Sequence, residues 1–150
     1  MELVLPTRPT PTWFVNSISL TEHSVLVIVD DEGDVFDHWS KIIDERLAGI
    51  VMPLGLRPEL ISISGPAEMR DNRHSVLERG TVFLIDYKFK DEYTTGIQLI
   101  EEFRLQQKAI LVTNHVDQAD VKAAVEKLNI RMLPKTYMLN AKFPMKIGVE

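Results

Sequence analysis

Short apolar runs recur along the chain, and between them apolar residues fall at helical spacing. Val25-Leu26-Val27-Ile28-Val29 is continuous and mostly β-branched, the pattern of a strand buried on both faces. Val82-Phe83-Leu84-Ile85 and Ala109-Ile110-Leu111-Val112 repeat it, Leu60-Ile61-Ser62-Ile63 is a weaker version, and Ile130 to Leu133 is the last. After the first run, Val35, Phe36, Trp39, Ile42, Ile43 and Leu47 predict a helix capped by Asp34. Pro66 predicts a helix start, with a poorly apolar helix running to about Glu78 before Gly80. Ile97, Ile100 and Phe103 mark another helix. Val121, Ala124, Val125 and Leu128, preceded by Asp117 as a cap, mark the next. Ahead of all this, Met1 to His23 carries Pro6, Pro9 and Pro11 and reads as an extended leader, with Trp13-Phe14-Val15 too apolar to be left in water.

Strands that alternate with helices five times predict an open, doubly wound parallel sheet, because parallel strands need right-handed crossover helices. Such sheets bind ligands at the carboxyl ends of their strands. Those ends carry Asp30-Asp31 on the first strand, Asp86 on the third, Thr113 on the fourth and Pro134-Lys135 on the fifth. Crowded carboxylates repel one another and raise each other's pKa unless a hard cation neutralises them, and an oxygen-only set favours Mg²⁺. A carboxylate beside such a cation is a competent nucleophile toward phosphorus, and a hydroxyl and an ammonium can neutralise the phosphoryl oxygens. Taken singly, the acidic pair could merely cap a helix and Asp86 could merely open a turn.

Composition narrows the function further. The chain has 150 residues, 45% of them apolar and 26% charged, the balance of an ordinary globular protein. With no Cys, disulfide scaffolds, thiolate zinc sites and cysteine nucleophiles are excluded. A net charge of −5 argues against nucleic acid or anionic membrane as a direct partner. No apolar run has the length of a membrane span and the N-terminus lacks a signal-peptide pattern, so a cytoplasmic location is expected. No G-x-G-x-x-G follows the first strand, where Asp30-Asp31-Glu32-Gly33-Asp34 would repel a pyrophosphate.

The segments VLVIVDDE, TVFLID and ILVT, with a Lys after the last strand, resemble the receiver domain of two-component response regulators. The resemblance covers roughly Ser24 to Thr136. It implies a flavodoxin-like (βα)5 fold, with residues 1–23 as an N-terminal extension, 24–150 as the receiver domain and a shortened fifth helix. It implies that Asp86 is the phosphoacceptor, that Thr113 is the switch hydroxyl and that Lys135 pairs with the phosphoryl group. Mg²⁺ would be held by Asp30, Asp31, Asp86 and the main-chain carbonyl of Lys88. Lys88 and His115, two residues beyond Asp86 and Thr113, would influence the lifetime of the phosphoryl group. The implied donor is a sensor histidine kinase or a histidine phosphotransfer protein. The implied activity is signalling by protein contacts, through the loop after Thr113 and the face around the fourth helix. Enzymatic chemistry would be limited to self-catalysed aspartyl phosphorylation and dephosphorylation. A homodimer is left open. The leader PTPTWFV and the LPK near the end also resemble receivers at the C-terminal end of certain hybrid histidine kinases.

The chain departs from the receiver pattern in several places. Phe89-Lys90 stand where Met-Pro is usual, Gly96 follows Asp86 by ten residues, Met132 occupies an aromatic position, and Thr136 rather than Pro follows Lys135. These departures favour an alternative, a degenerate receiver that binds proteins without being phosphorylated. A dehalogenase-like phosphatase or Toprim-type enzyme would need Asp-x-Asp at a strand end, and the tripeptide there is Asp86-Tyr87-Lys88. The charged run from Lys88 to Tyr93 reads as a solvated loop, His38 and His74 as solvated side chains, and His23 as a loop residue before the first strand. The short fifth helix would leave part of one sheet face open, for Trp13, Phe14 and Val15 to cover.

Overall fold

The computed structural model describes residues 13–47, 57–90 and 92–146. The proline-rich start of the leader lies outside the described residues. In chain order the elements are β1 (Leu20–Thr21), β2 (Val25–Val29), α1 (Gly33–Leu47), β3 (Glu59–Ile63), α2 (Pro66–Asp71), α3 (Arg73–Arg79), β4 (Val82–Ile85), α4 (Gly96–Glu102), β5 (Ala109–Thr113), α5 (Ala119–Leu128), β6 (Arg131–Pro134), a 3₁₀ helix (Lys135–Asn140) and β7 (Met145–Lys146).

β2 to β6 form one five-stranded parallel sheet in the order β3-β2-β4-β5-β6, the flavodoxin-like arrangement. The continuous apolar strands are buried on both faces, as their composition requires. One face packs against α2 to α5, through Met69, Val76, Leu99, Ile100, Val121 and Val125 on the helices and Val27, Phe83, Ile85 and Leu111 on the sheet. The other packs against α1, where Val35, Trp39, Ile42, Ile43 and Leu47 meet Leu26, Ile28, Leu84 and Ile110.

The elements differ from the sequence reading in detail. The helix expected to run unbroken from Pro66 is two short helices, interrupted at Asn72. Asn72 turns its Nδ2 back to donate to the Glu68 carbonyl, the local bonding by which Asn competes with a continuing helix. α1 begins at Gly33, so Asp34 lies in its first turn rather than capping it. α5 begins after Gln118, and the expected cap Asp117 points into solvent, 4.0 Å from Lys122. Asn129 ends α5 in the left-handed region, which Asn tolerates better than most residues.

After β6 the short fifth helix takes the form of the 3₁₀ helix, and an extended segment follows. The leader runs beside both. Phe14 bridges Met132 in parallel: the Met132 N–H donates to the Trp13 carbonyl (2.7 Å) and the Val15 N–H donates to the Met132 carbonyl (3.1 Å). Further on, β1 pairs with β7. The expected cover of the open face is supplied by other residues than Trp13, Phe14 and Val15 alone. Ile18 and Leu20, 3% and 1% exposed, fill the α1 face with Met138, Ala141 and Phe143, and Val15 lies at its margin. Trp13 packs on the opposite face, and Phe14 meets the Tyr137 ring edge-on at 5.3 Å. The leader crosses the sheet edge beside β6, so its apolar residues divide between the two faces.

Candidate functional site

The strand register brings the chemistry-bearing residues to one edge. Val29 is level with Ile63 on one side and Ile85 on the other. Asp30 and Asp86 are therefore the first residues beyond the ladder on adjacent strands. Each is still tied to it: the Asp30 N–H donates to Ile63 and the Asp86 N–H to Val29. Thr113, fully buried, is level with Pro134, which places Lys135 beside it at the same edge.

The side chains converge there. Lys135 Nζ lies 3.2 Å from Asp30 Oδ2 and 3.2 Å from Asp86 Oδ2. Asp30, Asp31 and Asp86 each place one carboxylate oxygen within 4.8 Å of the others. Backbone donors orient the first and third: Glu32 N–H to Asp30 Oδ1 (2.9 Å) and Tyr87 N–H to Asp86 Oδ1 (2.7 Å). The cleft over them is lined also by Lys88, Asn114 and His115. Lys88 thus stands in the wall of the acidic cleft. Thr113 Oγ1 accepts from the His115 N–H at 3.0 Å, so the hydroxyl's oxygen is engaged within its own loop.

Electrostatics follow from this crowding. Burial, and then the neighbouring Asp30 charge, push Asp86 from 3.8 to about 6, although Lys135 and the Tyr87 N–H pull the other way. Burial likewise raises Asp30 against the Glu32 N–H and Lys135. Burial alone would lower Lys135, but the Asp86 and Asp30 carboxylates more than offset it and hold the ammonium charged. Lys135 contacts Asp30 and Asp86, a third carboxylate lies nearby, and Lys88 and Lys90 also line the cleft. The all-oxygen set of carboxylates fits a hard divalent cation.

Between Asp86 and α4 the chain makes a long connection, returning at Gly96. The Gly96 N–H donates to the Tyr87 carbonyl (2.7 Å), and a side chain on Gly96 would overlap the Asp86 carbonyl oxygen. Only glycine allows that close return. Thr95 and Gln98 then form a capping box that starts α4. Lys88, Lys90 and Tyr93 are exposed, as expected of a solvated loop, but Phe89 and Glu92 are anchored. Phe89 is 5% exposed and belongs to the core, and Glu92 Oε1 accepts from the Ala67 N–H of α2 (3.2 Å). The signal available in the sequence was Phe89 itself, a large apolar residue between two lysines. Two further contacts were not anticipated: Lys90 N–H to Asp31 Oδ2 (2.6 Å), and His115 Nδ1 against Gln118 Nε2 (2.7 Å) with the Tyr87 ring 5.7 Å away. His38 and His74 are exposed and His23 lies in the loop before β2, as expected.

No family model matches the chain, and no curated protein matches its sequence. Solved structures do match its fold. A CheY-like response regulator receiver domain protein from Methanospirillum hungatei is 19% identical with a TM-score of 0.54, over 85% of this chain and 83% of that one. The REC domain of RcsB from Salmonella enterica, solved with the phosphomimetic BeF₃⁻, is 18% identical with a TM-score of 0.55, over 75% of this chain and 78% of that one. The receiver domain of the Francisella response regulator 1452 is 14% identical with a TM-score of 0.56, over 78% of this chain and 88% of that one. The chain therefore has the CheY-like receiver-domain fold. Among the described residues, no helix is long and apolar enough to cross a membrane.

Proposed function

We propose that this chain is a phosphorylation-dependent signalling module that accepts a phosphoryl group on Asp86. The observation that carries the reading is the convergence of Asp30, Asp31 and Asp86 with Lys135 at the carboxyl edge of a receiver-type sheet. In the transfer, a carboxylate oxygen of Asp86 attacks the phosphorus of a phosphohistidine on a sensor kinase or phosphotransfer protein. The P–N bond breaks, its electron pair goes to the imidazole nitrogen, and that nitrogen takes up a proton. Lys135 holds Asp86 from one side and is placed to accompany the transferred charge. Thr113 reaches the phosphoryl group by giving up its bond from the His115 N–H.

Asp30, Asp31, Asp86 and the main-chain carbonyl of Lys88 would hold Mg²⁺. When bound, it supplies positive charge that offsets the repulsion among carboxylates and phosphoryl oxygens. The output of the module is protein contact.

The test is intact mass after incubation with acetyl phosphate, with and without Mg²⁺, on the wild type and Asp86→Asn. One added phosphoryl group that requires both Mg²⁺ and Asp86 is the expected result. No gain in a folded wild type refutes the reading.

A second reading, the degenerate receiver, has one observation in its favour. Met132, at the position aromatic in many receivers, is fully buried and bound through both backbone groups to the leader. Under that reading the same assay shows no mass gain.

A further inference from the structure

The three carboxylates of the cleft are not held alike. Asp30 and Asp86 share Lys135, and each also accepts the N–H of a residue one or two places ahead. Asp31 is held from far away, by the N–H of Lys90, 59 residues on, at 2.6 Å.

Lys90 has an anchored surround. Next to it, Phe89 is buried in the core on the α2 side of the sheet. Beyond it, Glu92 binds the Ala67 N–H, and its other oxygen lies 2.7 Å from where a Cβ on Gly65 would be. Thr94 Oγ1 accepts from Arg70 Nη2 (3.1 Å), and Arg70 in turn grips Glu102 with two bonds of 2.8 and 3.0 Å. At the far end Gly96 closes against Asp86. The connection is thus pinned on both sides of Lys90.

We propose that this connection is a clamp, with the Lys90 N–H as the positioning group that keeps the Asp31 carboxylate in the cation site. The proposal rests on the reading of that site as one for Mg²⁺. The Asp31 side chain is half-exposed and faces two other carboxylates. Repulsion alone would turn it outward into water. A donor on Oδ2 opposes that rotation and occupies one of about four lone-pair sites, leaving Oδ1 and the remaining site for a cation. Partners behind a metal ligand act in this way, and losing one typically costs about 10–100-fold in affinity. The donor is main chain, so it survives any replacement of side chain 90 but proline, while the Lys90 side chain itself lines the cleft. What matters is the N–H and the anchor at Phe89.

The experiment is Mg²⁺ titration by calorimetry on the wild type, Lys90→Pro, Lys90→Ala and Phe89→Ala, with hydrogen exchange of the Lys90 amide alongside. Lys90→Pro removes the donor and is expected to weaken Mg²⁺ binding about tenfold. Lys90→Ala keeps the donor while losing the same side chain from the cleft wall, so the loss of about tenfold is read against it, and Phe89→Ala should fall between the two. In the metal-free wild type the Lys90 amide should exchange slowly, and in Asp31→Ala quickly, a readout that needs no proline. Mg²⁺ binding by a folded Lys90→Pro equal to that by Lys90→Ala overturns the proposal. So does equal exchange of the Lys90 amide in wild type and Asp31→Ala. A folded wild type that takes up no Mg²⁺ overturns the cation reading on which the clamp's role rests, and the exchange data alone then report whether Lys90 holds Asp31.

Discussion

Replacing Asp86 by Asn should stabilise the metal-free protein at neutral pH, an unusual outcome for a largely buried polar residue. The folded protein raises the Asp86 pKa from 3.8 to about 6, chiefly by burial and then by the Asp30 charge. A carboxylate whose folded pKa lies above its unfolded one favours folding fully below pH 4. It loses that contribution as pH rises through about 6, because the unfolded chain gives up the proton first. A shift of about two units corresponds to about 3 kcal/mol. Asn keeps the shape without the charge, but its single oxygen cannot serve both Lys135 and the Tyr87 N–H, which takes back part of the gain. The net gain expected at pH 7.5 is therefore about 1–2 kcal/mol, a rise of roughly 5 °C in melting temperature for a chain of this size. The assay is urea and thermal unfolding of both proteins in EDTA at pH 4 and pH 7.5. The variant should lead at pH 7.5, and the lead should shrink toward zero at pH 4. Saturating Mg²⁺ should stabilise the wild type more than the variant, since only the wild type has the full carboxylate set. A variant less stable than wild type at pH 7.5, or a difference that ignores pH, would refute the electrostatic account of the cleft.

Lys135→Met removes the cation shared by Asp30 and Asp86; it should destabilise by about 2–4 kcal/mol at pH 7.5 and clearly less at pH 4.5, read by urea unfolding at the two pH values. Gly96→Ala forces the chain off the Asp86 carbonyl and should cost at least about 2 kcal/mol, with the largest amide chemical-shift changes at Tyr87 and Thr95. Leu20→Ala empties a fully buried site in the leader and should cost about 2–4 kcal/mol, whereas a leader that merely lies on the surface would show almost no change.

Much of this molecule could be read from residue types alone. Val25–Val29, Val82–Ile85 and Ala109–Thr113 declare themselves as doubly buried strands because no polar residue interrupts them before their ends. For the same reason the residues at those ends, Asp30, Asp86 and Thr113, stand out as the first polar positions at one edge of the sheet. Periodicity located α1 and α5 because each has an apolar stripe to bury. Other features were set only by tertiary structure. The leader's passage across the sheet edge and the burial of Phe89 depend on which surfaces remain uncovered once the sheet has formed. The hold on Asp31 depends on a main-chain N–H, a group that every residue but proline carries and that leaves no mark on the sequence. The raised Asp86 pKa likewise comes from distances between strands, since the same carboxylates spread along an unfolded chain would each titrate normally.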